Sequence, residues 1–311
     1  MKQIRASAPA TVANVCCGFD ILGFAVEAPS DEVILTFNDS SEVTMTRIVG
    51  DGGRLPLATD RNTATVAIRS YLRAIGESPG VAVELNKHLP LGSGMGSSAA
   101  SAAAALVAIN AYYNDRLSRA DLIPHAMEAE RVACGAAHAD NVAPSLLGGM
   151  VLIREYQPLD VIAVPLRTPF FCTLVHPHLE LRTEDSRKVL KPTLPLQSAI
   201  AQNGNTAALM VGLITGNLEL VGRSLHDVIA EPIRSVFIPG FAVIRQQTLE
   251  AGGVGCGISG SGPTIFAISE SKITAEKVGE RLRVHFQTPH LESDVYVSSI
   301  NLKGAQVLHN S

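Results

Sequence analysis

The chain has 311 residues, 46% hydrophobic and 17% charged, too apolar for intrinsic disorder and long enough for about two domains. Its 25 Lys+Arg against 29 Asp+Glu leave a net charge of −4, and there is no basic run and no Trp, which excludes the electrostatic footprint and stacking platforms of a nucleic-acid binder. From the N-terminus, Met1-Lys-Gln-Ile-Arg5 leads into Ala-Ser-Ala-Pro9, too broken by polar residues for a signal-peptide core. No apolar run approaches the ~20 residues of a membrane span. A soluble cytoplasmic protein is expected, without a membrane or nucleic-acid partner.

Asn14 and Asp20 flank Val15-Cys-Cys-Gly-Phe19, either an Asx-type turn or a short loop whose carboxylate suits a cationic group. Residues 32–37 and 42–49 carry β-branched residues partly alternating with polar ones, which predicts strands; 51–53 is a turn. Over 63–75 the apolar residues Val66, Ile68, Tyr71, Leu72 and Ile75 recur at helical spacing. A short strand is expected at 81–85, then a glycine loop running into an Ala-rich helix to about residue 113. Ser118-Arg-Ala-Asp121 resembles a capping box and opens a helix to about 134, with Pro124 near its start. Gly148-Gly149 precedes a strand at 150–155.

Prolines 158, 165 and 169 cluster around a candidate junction, dividing the chain into 1–160 and 161–311. Beyond it, strands are expected at 171–175, 264–268 and 294–300. Helices are expected at 183–190, 196–214, 218–229, 242–251 and 274–286, and a second glycine loop at 255–263. Helices mixed with strands predict an α+β layered second domain. The five cysteines, Cys16, Cys17, Cys134, Cys172 and Cys256, form no Cys-x-x-Cys pair and read as free thiols of a reducing compartment.

The chemistry concentrates in two segments. Gly92-Ser93-Gly94-Met95-Gly96-Ser97-Ser98 precedes a helix. Glycines let backbone N–H groups converge, and the helix adds orphan N–H groups and the positive end of its dipole, which together suit phosphate. Ser97 and Ser98 add hydroxyls, one able to meet a phosphate oxygen and one able to bind Mg²⁺. A Ser-capped structural turn is the alternative. Neither a Walker A loop nor a Gly-x-Gly-x-x-Gly fingerprint fits, since no Lys follows these glycines and the sixth position is Ser97 or Ala99. Downstream, Glu128 and Glu130 lie on a helix, where residues two apart face different ways, so one at most enters a given site. One Glu and one Ser would suffice for Mg²⁺; a solvated helix face is the other reading. His138-Ala-Asp140-Asn141 is a polar turn or a site segment in which Asp140 orients a substrate amine or acts as a base. Arg187 and Arg234 are candidates for a substrate carboxylate.

Together, Pro9-Ala-Thr-Val-Ala-Asn-Val-Cys-Cys-Gly-Phe-Asp20, Pro90-Leu-Gly-Ser-Gly-Met-Gly-Ser-Ser-Ala-Ala100 and Gly257-Ile-Ser-Gly-Ser-Gly-Pro263 resemble the three motifs of the GHMP kinase superfamily. His138-Ala-Asp-Asn-Val-Ala-Pro144, Thr183-Glu-Asp-Ser-Arg187 and Glu231-Pro-Ile-Arg234 resemble its homoserine kinase family. The resemblance implies an α+β two-domain GHMP kinase fold, a ribosomal-S5-like N-terminal domain and a ferredoxin-like C-terminal domain. It implies phosphorylation of the L-homoserine side-chain hydroxyl in threonine biosynthesis, with ATP and Mg²⁺, and it makes a homodimer plausible. By matched position, ATP would be bound by Asn62, Lys87, Pro90, Gly92, Ser93, Gly94, Met95, Gly96, Ser97 and Ser98, with Asn62 and Lys87 near the adenosine. Ser98 and Glu130 would hold Mg²⁺. Asn14, Asp20, His138, Asp140, Thr183, Arg187, Arg234 and Gly260 would line the homoserine pocket, with Asp140 and Asn141 the candidate catalytic pair. In the first motif, Val12 stands where Ser is common, and Cys16-Cys17 where Gly-Pro is common.

Overall fold

The computed structural model describes residues 2–181 and 183–308, leaving aside the side chains of residues 133, 134, 183 and 184. The first lobe runs β1 (Gln3–Ala13), β2 (Leu22–Asn38), β3 (Val43–Val49), α1 (Thr63–Ile75), β4 (Gly80–Asn86), α2 (Ser97–Tyr112), α3 (Ile123–Cys134), α4 (Val142–Leu147), β5 (Met150–Tyr156) and β6 (Leu159–Val164). The second runs β7 (Phe171–Pro177), α5 (Thr183–Lys188), α6 (Leu196–Thr215), α7 (Leu218–Ser224), α8 (Glu231–Arg234), α9 (Phe241–Glu250), β8 (Gly255–Ile258), β9 (Ile265–Ser269), α10 (Lys272–Phe286) and β10 (Ser293–Ser299); β11 (Gln306–Leu308) follows.

One sheet has the order β11-β1-β2-β4-β3, with β5 beside β2 and β6 beside β5; β3 and β4 are parallel and the other pairs antiparallel. The other is antiparallel with the order β10-β7-β9-β8, the split arrangement of a ferredoxin-like βαββαβ unit. The two-domain α+β expectation therefore holds. The 160/161 junction falls inside β6, whose prolines flank a hairpin strand of the first sheet rather than a linker, and β11 returns from the far end of the chain to pair with β1.

The local causes are visible. Asn62 caps α1 by accepting the Ala64 amide, and Gly76 ends it in the left-handed region. The Ala run makes α2 narrow enough to be buried on all sides between β1, β2, α1 and α3. On β2, Asp31, Val33, Leu35 and Phe37 alternate with more exposed neighbours and point inward. The expected helix at 218–229 stops at Ser224, because the Asp227 carboxylate takes the amides of Ile229, Ala230 and Glu231 and starts α8 afresh. The polar turn preceding Val142 closes on Asn141, the N-cap of α4, and residues 255–258 of the second glycine loop form β8.

Candidate active site

The three glycine-bearing motifs meet between the lobes. Gly92, Gly94 and Gly96 have φ of 63°, 80° and 69°, a region in which only glycine is unstrained. Space is as decisive as torsion. A Cβ on Gly94 would lie 2.3 Å from the Ser259 carbonyl oxygen, and one on Gly96 would lie 2.0 Å from Thr11 Oγ1. Ser259 Oγ donates to the Gly94 carbonyl at 2.7 Å, the Thr264 amide donates to the Ser93 carbonyl at 3.2 Å, and the Gly260 amide donates to the Ala13 carbonyl at 3.2 Å. The third motif thus clamps the other two.

Gly96 is the N-cap of α2 and no side chain caps the helix, so its first amides and dipole face the cleft with Ser97 and Ser98. Ser93 Oγ donates to the Pro90 carbonyl, and the fully buried Met95 side chain packs in the core, so these positions shape the loop. Lys87 borders the cleft with Asn62. Its ammonium forms a buried ion pair with Asp31 and donates to the Ser97 carbonyl (2.8 Å) and Ser101 Oγ (2.9 Å), which uses all three protons. Asp31 also takes the His88 and Leu89 amides. Lys87 is thus a strut beneath the loop. Asn62 lines the cleft but spends its amide on the α1 cap and the Pro56 carbonyl.

Across the loop lies a charged pocket. Asn14, Val15, Cys16 and Asp20 all have positive φ, uncommon for non-glycine residues and strained for the β-branched Val15. The tight reversal is held by Asn14, whose Oδ1 accepts the Asp20 amide (3.0 Å) and whose Nδ2 donates to the Gly260 carbonyl (3.0 Å). Cys16 packs so closely against Gly257 that a Cβ there would sit 2.1 Å from its sulfur. The Cys17 carbonyl accepts from Gln202 and Thr206.

Asp20 and Arg187, expected to serve the substrate's ammonium and carboxylate separately, are bonded to each other. Arg187 Nη1 and Nη2 reach the two carboxylate oxygens at 3.0 and 2.7 Å. Arg234, 3% exposed, donates to the Gly260 carbonyl at 2.9 Å. His138 Nδ1 lies 3.8 Å from Asp20 Oδ2, and burial lowers its pKa. Thr183 opens α5; its side chain lies outside the described residues.

Asp140 is an acid buried in the cleft. Burial, with the nearby Asp20 and Glu130 carboxylates, pushes its pKa up to about 7. Such a carboxyl exchanges protons near neutral pH. Asn141 Oδ1 accepts from Thr11 Oγ1 at 2.7 Å and borders the same space. Of the two helix glutamates, Glu130 enters the cleft, while Glu128 pairs with Arg131 on the surface. Ser98 and Glu130 offer one hydroxyl and one buried carboxylate to a common cleft of about 820 Å³, a hard-oxygen set that fits Mg²⁺ completed by phosphate and water. The same cleft reaches Asn14, Asp20, His138, Asp140, Arg187, Arg234 and Gly260. Residues that sequence reasoning passed over are Asp31, Thr11, Phe19 and Tyr156, whose hydroxyl donates to the Asp20 carbonyl at 2.6 Å. Only Asp31 carried a signal, an acid on the inward parity of an alternating strand.

Residues 62–149 match the family described as GHMP kinases N terminal domain, and residues 209–287 match GHMP kinases C terminal. The chain is 50% identical over 320 residues to the homoserine kinase of Chlorobium phaeobacteroides (strain DSM 266), covering 99% of this chain and 100% of the relative. It is 47% identical over 320 residues to that of Chlorobaculum tepidum, covering 99% of each. The crystal structure of homoserine kinase from Cytophaga hutchinsonii is similar with a TM-score of 0.96 at 49% identity, covering 99% of this chain and 98% of that chain.

Proposed function

The chain belongs to the homoserine kinase family of the GHMP kinases, and from that premise we propose how its residues carry out the reaction. It phosphorylates L-homoserine on the side-chain hydroxyl at the expense of ATP, a step of threonine biosynthesis. One observation carries the residue-level reading: the uncapped N-terminus of α2 and a pocket with charges of both signs open into one cleft, with Asp140 bordering the same space.

In this reading the amides of residues 92–98 hold the ATP phosphates, with the Ser97 hydroxyl beside them. Ser98 and Glu130 hold Mg²⁺, which supplies charge neutralisation on the phosphates. Asp20 releases Arg187 and takes the substrate ammonium, while Arg187 and Arg234 take the carboxylate. Asn14, His138 and Gly260 complete the pocket wall. The hydroxyl oxygen attacks the γ-phosphorus and the bond to the β–γ bridging oxygen breaks. ADP leaves, and the hydroxyl proton passes to Asp140, with Asn141 beside it. Phosphoryl transfer has a loose transition state, so positioning and charge complementarity outweigh base strength.

The N-terminal lobe, β1 to β6 with the return of β11, carries ATP, and the rest closes the pocket. Among the described residues no helix is long and apolar enough to cross a membrane, and the four described cysteines are free and buried; we place the enzyme in the cytoplasm. A homodimer completes the picture. ADP release with L-homoserine, L-serine, L-threonine and mevalonate tests the substrate: homoserine should be strongly preferred, and turnover of mevalonate without homoserine would overturn the assignment.

A further inference from the structure

Arg187 comes from α5 and Arg234 from α8, yet one ring meets both. Each guanidinium carbon lies over Phe19, 5.4 Å from its centroid, so the two carbons are separated by no more than twice that distance. Two cations at the edge of a buried cleft repel, because little water remains to screen them. Asp20 holds Arg187 through both oxygens, but it must let go when the substrate's ammonium and carboxylate arrive. Arg234 has one anchor through Nη1 on the Gly260 carbonyl, and its Nε has no hydrogen-bond partner among the described residues.

The face of an aromatic ring is electronegative and attracts guanidinium groups. Unlike a carboxylate, it is neutral, so an incoming anion does not compete with it or repel it. Phe19 is also held firmly. It sits one residue before Asp20, in the reversal fixed by the Asn14 side chain, and Asn14 shares the Gly260 carbonyl with Arg234 (3.0 and 2.9 Å). Ring and guanidinium are thus tied to the same carbonyl.

We propose that Phe19 is a positioning residue that keeps Arg187 and Arg234 together as the grip for the substrate's α-carboxylate before and after Asp20 lets go. The proposal rests on the homoserine reading given above. Its effect is confined to the amino-acid end of the substrate, away from the nucleotide.

The test is steady-state kinetics on the full-length enzyme with Phe19→Leu, and with mono-, di- and trifluorinated phenylalanine placed at position 19. Fluorine drains the ring face without changing its shape. Phe19→Leu should raise KM for L-homoserine about tenfold, leaving kcat within about twofold and KM for ATP unchanged. The fluorinated series should raise the homoserine KM stepwise with fluorine count. Should Phe19→Leu fail to fold, as read from its thermal midpoint, the isosteric series decides. A homoserine KM that ignores fluorination, or a KM for ATP that rises in parallel, overturns the proposal while leaving the function standing. Wild-type enzyme without activity on homoserine would instead overturn the functional reading on which the proposal rests.

Discussion

Replacing Asp140 by Asn should make the ligand-free protein more stable and much less active. In the folded chain burial and two neighbouring carboxylates hold Asp140 at about 7, against 3.8 in an open chain. Between pH 4 and 7 the folded state therefore binds the extra proton, and stability falls as pH rises through that window, with the whole loss present above pH 7. Taken at face value the gap corresponds to roughly 4 kcal/mol, an upper bound because the pocket relaxes. Asn carries no charge at any pH, so Asp140→Asn recovers that loss at pH 8 and nothing at pH 4. At about 1.5–2 °C per kcal/mol for a chain of 311 residues, the variant should melt up to about 6–8 °C higher at pH 8 and level with wild type near pH 4. Thermal denaturation of both proteins across pH 4–8, without nucleotide, reads this directly. The same variant should lose on the order of 10²-fold or more in kcat if Asp140 accepts the proton. A stability gain independent of pH, or a loss at pH 8, would refute the account of a charged carboxyl held at a cost inside the cleft.

Other outcomes follow from the same geometry. The kcat/KM profile for homoserine should rise to a plateau as Asp140 loses its proton, and in the protein free of nucleotide and metal Glu130→Gln should shift the pH window of the Asp140 stability loss to lower pH by removing a carboxylate that raises it. Lys87→Met leaves the buried Asp31 carboxylate without its counter-charge, so urea unfolding should show a loss of about 3–5 kcal/mol; adding Asp31→Asn should recover part of it. Gly96→Ala meets Thr11 Oγ1 at 2.0 Å, whereas Gly52→Ala, with φ +63° and nothing within 4 Å, meets no neighbour. The Gly52 variant should lose only about 1–2 kcal/mol of stability, and the Gly96 variant should lose more and bind ATP weakly. Arg234→Gln should raise KM for homoserine by roughly 10- to 100-fold, matching one lost charge-assisted contact, with KM for ATP unchanged.

The phosphate cradle was legible because its signal is local: three glycines and two serines before an Ala run leave few backbone options, and the structure gives each glycine a positive φ. The strand-rich first lobe was legible only in part. β1, with its run of small residues and Pro9, lacks the usual strand residues and exists because β2 and β11 flank it. The electrostatics of the pocket were less accessible. Asp20 and Arg187 are 167 positions apart, and their chemistry alone points to opposite ends of a zwitterionic substrate, while the structure bonds them to each other. The role of Phe19 depends on two helices far down the chain. The Lys87–Asp31 ion pair is out of reach of local reading for the same reason, since Asp31 lies on β2, 56 residues earlier.

The most direct test of the central claim is a crystal structure of the ternary complex with a non-hydrolysable ATP analogue, Mg²⁺ and L-homoserine. The account predicts β- and γ-phosphate oxygens on the amides of residues 92–98, the Asp20–Arg187 pair opened around the amino acid, and the substrate hydroxyl beside Asp140. A triphosphate bound away from the start of α2, or an amino acid seated with Asp20 and Arg187 still bonded to each other, would contradict it.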